Sequence, residues 1–223
     1  MRLRTTAILT TAAAAATSIV LLAGCGGSAS EASPSTATST SAARQAAAGT
    51  RPDCYPYCEG EDLSGADLRE VNLAAALLIN ANLTNANLTG ADLREADLTN
   101  ANLTNATLTG ADLREAKFSS ANLSYAELIR ADLTRADLTD AELTLAFLDS
   151  ANLTDASLTR ADFTRADLTG ADLTRAFLIR ADLTRADLTG ANLTGANLDG
   201  ANLTDAYWSN TTCPNGTVTS TGC

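Results

Sequence analysis

Ala91-Asp92-Leu93-Arg94-Glu95, Ala96-Asp97-Leu98-Thr99-Asn100 and Ala101-Asn102-Leu103-Thr104-Asn105 are three consecutive copies of one five-residue unit. The unit runs thirty times without a break over 61–210. With each copy centred on position i, residue i is Leu in 27 copies and Phe118, Phe163 or Trp208 in the other three. Position i−2 is Ala in 28 copies, with Glu61 and Val71 the exceptions. Position i−1 is mostly Asp or Asn, and i+1 is mostly Thr.

A period of five fits neither regular element when straight. In an α-helix each residue advances about 100°, so leucines five apart drift about 140° per copy and form no stripe. In a straight strand side chains alternate, so an odd repeat sends successive leucines to opposite faces. The conflict disappears if the chain bends once per unit. Then i−2 and i face inward, i−1 faces outward, and i+1 and i+2 face outward around a corner. This assignment puts Ala and Leu inside and Asp, Asn, Thr, Arg and Gly outside. It predicts an all-β solenoid whose successive coils lie about 4.8 Å apart. Stacked Leu and Ala fill its interior, so no cofactor and no metal is required.

The quoted units match the A(D/N)LXX pattern of the pentapeptide repeat family, and 61–210 resembles that family throughout. The resemblance implies a right-handed quadrilateral β-helix with four units per coil. Thirty units then make about seven and a half coils, roughly 36 Å long at strand spacing. An internal duplication points the same way: the run 89–96 recurs at 109–116, and 160–162 recurs at 180–182, both offset by 20 residues. Against it, 65–70 recurs at 90–95, offset by 25.

The ends speak of compartment. Residues 1–24 read as an export signal, with Arg2 and Arg4 ahead of a short apolar stretch. It closes on Leu22-Ala23-Gly24-Cys25, which resembles the lipobox of bacterial lipoproteins. That resemblance implies that Cys25 becomes the first residue and carries lipid. The chain would then sit anchored on the extracytoplasmic face of the cell membrane. Residues 25–52, rich in Ser, Ala and Thr, read as a flexible tether. A cysteine cap over 53–60 precedes the repeats, and a second cap over 211–223 follows them. Solenoid ends expose core and strand edges and need such caps. In an exported chain, Cys54–Cys58 and Cys213–Cys223 are the expected disulfides. The rival reading, a metal site, has no histidine available and would split its four thiols between two ends.

The outer face offers little chemistry. Without histidine, Ser-His and Cys-His nucleophilic catalysis is excluded, and no phosphate loop or dinucleotide fingerprint is present. The carboxylates sit at outward positions that the repeat dictates, so solvation explains them. At four units per coil, Asp92, Asp112 and Asp132 share one side, and Arg94 and Arg114 bridge them into a surface salt-bridge ladder. The informative departures are apolar. Tyr125 and Leu145 fall on neighbouring coils at one corner, and Ile129 and Phe147 fall on the next side. Together they form a candidate contact patch for docking or dimerisation. Phe177 with Ile179, and Leu77 with Ile79, depart from the pattern elsewhere.

These observations favour a lipid-anchored, extracytoplasmic, non-catalytic module that is structural or binds an unidentified protein, a second copy being one choice. The family resemblance supplies the alternative. Some members mimic duplex DNA and bind DNA gyrase, giving quinolone resistance. The repeat block carries 11 basic and 23 acidic residues, which suits such mimicry and leaves no nucleic-acid partner. The export signal opposes it, as does the concentration of seven arginines between Arg130 and Arg185.

Overall fold

The computed structural model describes residues 49–223. The expected export signal, Cys25 and nearly all of the expected tether lie outside the described residues. Within them the i−1 residue of each unit forms a parallel bridge to the residue 20 positions on. One such column runs Asn72, Asp92, Asp112, Asp132, Asn152, Asp172, Asn192, Thr212. The offset of 20 recurs from Tyr57↔Leu77 to Asn192↔Thr212, so four units make one coil. The identical runs at 65–70 and 90–95, 25 residues apart, therefore stand on different sides. No described residue is helical, and the only strands of more than one residue are β1 (Thr211–Thr212) and β2 (Val218–Thr219), paired antiparallel.

Three hydrogen bonds join each unit to its successor one coil on. Leu93 N donates to Asp112 O at 2.8 Å, Asp112 N to Ala91 O at 2.9 Å, and Glu95 N to Arg114 O at 3.0 Å. A fourth closes the corner: Ala96 N donates to Leu93 O at 3.0 Å. The third residue of this four-residue turn is i+2, and it has positive φ, as type II turns require. Every fifth residue from Gly60 to Asn210 shows this, with φ of 55–62° at the non-glycine positions. Eight of these corners are Gly; most of the others are Arg, Asn, Asp or Glu. A side chain in the left-handed region costs about 1 kcal/mol or more. The repeat tolerates this because bonds to both neighbouring coils fix the same corner.

The interior is dry and continuous. The leucines at position i from Leu68 to Leu193 are fully buried, as are Phe118 and Phe163, and the alanines at i−2 between them are almost fully buried. The coil also extends one unit past the Leu pattern at each end. Cys58 (0% exposed) and Cys213 (3%) occupy the position that Leu holds elsewhere. Their i−1 neighbours Tyr57 and Thr212 join the bridge columns. Thr211, in the Ala position, is buried and donates its hydroxyl to Leu188 O at 2.7 Å. The coil thus runs from Tyr57 to Cys213, about eight turns or roughly 38 Å.

The two ends close differently. At the first coil, Cys58 is disulfide-bonded to Cys54. The Arg51 guanidinium lies 4.2 Å from the Tyr55 ring centroid, and the Tyr55 hydroxyl donates to Ala74 O at 3.1 Å. At the last coil, Cys213 is bonded to Cys223, which folds the tail back so that Gly222 lies against the Trp208 indole. Leu198, Ala201, Leu203, Ala206 and Trp208 remain only partly buried there.

Candidate functional site

The outward Asp and Asn residues do more than solvate the surface. Asn82 Oδ1 accepts from Thr84 N at 3.2 Å and from Thr84 Oγ1 at 2.7 Å, and Asp97 Oδ1 accepts from Thr99 N at 3.1 Å and Thr99 Oγ1 at 2.6 Å. Each side chain bridges its own strand across the intervening leucine, as Asx motifs do. Where Asn follows Asp one coil on, its amide donates back. Asn152 Nδ2 reaches Thr134 Oγ1 at 2.9 Å and Asp132 Oδ1 at 3.3 Å. The recurrent Asn-Leu-Thr and Asp-Leu-Thr triplets carry this signal in the sequence, and reading them as solvation alone misses it. For Asp182, these bonds from Thr184 hold the carboxyl below its usual range.

Arginines extend the scheme. Arg94 grips Asp92 through two bonds of 2.8 and 2.6 Å, and Arg114 grips Asp112 in the same way. Arg94 Nε lies 3.6 Å from Asp112 and Arg114 Nε 3.8 Å from Asp132, so the pairs link into a ladder along one side. The guanidinium bonds hold the Asp92 and Asp112 carboxyls low. The corners are paired as well: Glu115 with Arg135 at 2.5 Å, Asp155 with Arg175 at 2.6 Å, and Asp140 with Arg160.

The four apolar departures lie on two adjacent coils. Tyr125 (51% exposed) and Leu145 stack at one corner. From that corner the chain enters the side carrying Ile129 and Phe147, the latter 44% exposed and bridged to Glu127. Leu145 and Ile129 are half-buried. Beside them Asp149 has its carboxyl pushed up, by burial first and then by the charges of Asp167 and Asp187. Phe177 lies on another side, as does Leu77, which is bridged to the exposed Tyr57 at the first coil.

Further along the Tyr125–Leu145 corner an open surface cavity of about 820 Å³ is lined by Leu145, Arg165, Arg185, Asp205, Ala206 and Tyr207. Sequence reasoning misses it, because its walls come from four coils and only the 20-residue register brings them together. No group of His, Cys, Asp and Glu among the described residues is placed to hold a metal ion. The arrangement is an exposed surface of polar side chains with apolar departures, built on a coil whose interior is filled by its own side chains.

The family profile for pentapeptide repeats matches residues 62–100, 96–135, 131–170 and 166–205. Among solved structures the chain is similar to HetL, a pentapeptide repeat protein involved in heterocyst differentiation regulation from the cyanobacterium Nostoc sp. strain PCC 7120. The identity is 38%, covering 73% of this chain and 87% of that one, with a TM-score of 0.40. It is also similar to a trypsin-treated form of QnrB1, a plasmid-mediated fluoroquinolone resistance protein. Here identity is 20% over 69% of this chain and 75% of that one, with a TM-score of 0.51, a likeness of fold alone. No curated protein matches the chain. With its five-residue unit, its 20-residue parallel register and this match over most of the repeats, the chain belongs to the pentapeptide repeat family.

Proposed function

We propose that this protein is a lipid-anchored, extracytoplasmic and non-catalytic module that presents its coil as a rigid surface to a protein partner. The observation that carries the contact role is the clustering of Tyr125, Ile129, Leu145 and Phe147 on adjacent coils of a largely polar exterior. Patches of this kind on a regular polar surface mark interaction sites. The anchoring rests on the Leu22-Ala23-Gly24-Cys25 motif, with lipid carried on Cys25. The interior is filled by Leu and Ala and the larger surface cavity is open rather than enclosed, which supports a non-catalytic role.

Fractionation of cells expressing the wild-type chain and Cys25→Ser tests the anchor. The wild type is expected in the membrane fraction and the variant outside it; equal distribution contradicts the anchor. For the patch, Leu145→Ser/Phe147→Ser is compared with the wild type by cross-linking and sedimentation, and loss of the complex is expected. The gyrase-binding alternative has one supporting observation, the net acidity of the repeats. A supercoiling assay tests it directly, and no inhibition is expected.

A further inference from the structure

The contact patch ends at Leu145, but the cavity that Leu145 lines continues along the same corner to Arg165, Arg185 and Tyr207. Three corner stacks elsewhere pair opposite charges: Glu115 under Arg135, Asp140 under Arg160, Asp155 under Arg175. Arg165 and Arg185 put two like charges one coil apart, about 5 Å by strand spacing, which is unfavourable in itself. Arg160 with Arg180 and Glu95 with Glu115 are the other like-signed corner stacks, but there Arg160 is held by Asp140 and Glu115 by Arg135.

A second cavity supplies an internal comparison. It is smaller, about 170 Å³, and is lined by Arg94, Glu95, Arg114, Glu115 and Arg135. All three of its arginines are gripped by carboxylates at 2.6 Å or less. In the larger cavity Arg165 makes no ion pair among the described residues. Arg185 reaches Asp205 only through Nε, at 3.5 Å. Asp205 pairs with Arg185, and no described carboxylate forms an ion pair with Arg165. Open guanidinium forks fit an oxyanion through paired N–H donors. The remaining wall is apolar or aromatic: Leu145, Ala206 and the Tyr207 ring, 62% exposed.

We propose that this cavity binds a carboxylate of a partner protein's acidic segment, with Arg165 and Arg185 holding the oxyanion and Tyr207 and Leu145 covering an adjoining apolar residue. The proposal rests on the contact-surface reading, because Leu145 belongs to both surfaces, and it names the chemistry of the partner.

The test is a titration of the isotope-labelled full chain with acetyl-Phe-Glu-Glu-amide, followed by the arginine Nε–H and backbone amide resonances. Shifts are expected at Arg165, Arg185 and Tyr207 and not at Arg94 or Arg114. Arg165→Ala/Arg185→Ala is expected to weaken binding by about tenfold or more, the size of a lost charged hydrogen bond. Arg94→Ala is expected to leave it unchanged. Equal shifts with acetyl-Phe-Lys-Lys-amide, or equal shifts at Arg94 and Arg165, would overturn the proposal. Inorganic phosphate binding as tightly as the peptide would also overturn it, since the cavity would then be a general anion site. Normal peptide binding with no partner contact at Phe147 defeats the patch reading alone. Contact at Phe147 without peptide binding defeats this inference alone.

Discussion

Cys58 and Cys213 occupy the same inward position at opposite ends of one coil, each where leucine stands in the turns between. Both are then tied to a cysteine of the adjoining end segment, Cys54 and Cys223. The caps are therefore continuous with the core. Reduction should fray the coil from its ends, with the larger effect at the last coil, where Leu198 and Leu203 are only partly buried. By loop-closure entropy the Cys213–Cys223 bond contributes about 2–3 kcal/mol. Hydrogen exchange checks this: under reducing conditions amides near 176–197 should exchange faster while those near 118–138 stay protected.

Burial grades the cost of losing a leucine. Leu133 is fully buried mid-coil, whereas Leu198 is half-open in the last turn. Leu133→Ala should cost about 2–5 kcal/mol, with Leu198→Ala well below that range because less apolar surface is lost. Urea denaturation of the two variants measures the difference.

The left-handed corners predict opposite outcomes for opposite exchanges. Ala75 has φ of 55° and Gly110 φ of 65°. A Cβ added at Gly110 would meet no heavy atom within 4 Å, so the cost of leaving glycine there is chiefly conformational. Ala75→Gly should therefore stabilise the coil by about 0.5–1 kcal/mol, and Gly110→Val should destabilise it by more than about 1 kcal/mol. Thermal unfolding of both variants decides the sign.

The carboxylates predict an acid limb. Asp92 and Asp112 are held below the usual range, mainly by Arg94 and Arg114. A depressed folded-state pKa adds stability that is present above the unfolded value near about 4 and is lost as pH falls through the folded value. Melting temperature should be flat above about pH 5 and fall below about pH 4. Arg94→Gln/Arg114→Gln should flatten that fall slightly, because solvent screens exposed pairs. Asp149 runs the other way, because burial and then Asp167 and Asp187 push it up. Its charge opposes folding above the folded-state pKa, and protonation relieves this. Asp149→Asn should raise the melting temperature at pH 7 by about 1–2 °C and leave it unchanged at pH 3.

The coil was legible because a period of five permits only one sorting of Leu and Ala to the inside. The ladder of Asp92, Asp112 and Asp132 with Arg94 and Arg114 followed once four units per coil were assumed. The left-handed corners were not legible: Arg165, Glu95 and Leu145 are poor choices for positive φ and are held there by hydrogen bonds between coils, which no local pattern displays. Cys58 and Cys213 were visible as a cap pair, but their place in the leucine columns depends on Tyr57 and Thr212 joining the bridges. The cavity between Leu145 and Tyr207 spans 62 residues of sequence and exists only through the register.

The most direct test of the contact role is photo-cross-linking in intact cells, with a benzophenone side chain at 147 in one variant and at 112, on the salt-bridge ladder, in another. A discrete adduct is expected in the membrane fraction from position 147 and none from position 112. Equal yields from both positions, or no adduct from 147, would contradict it.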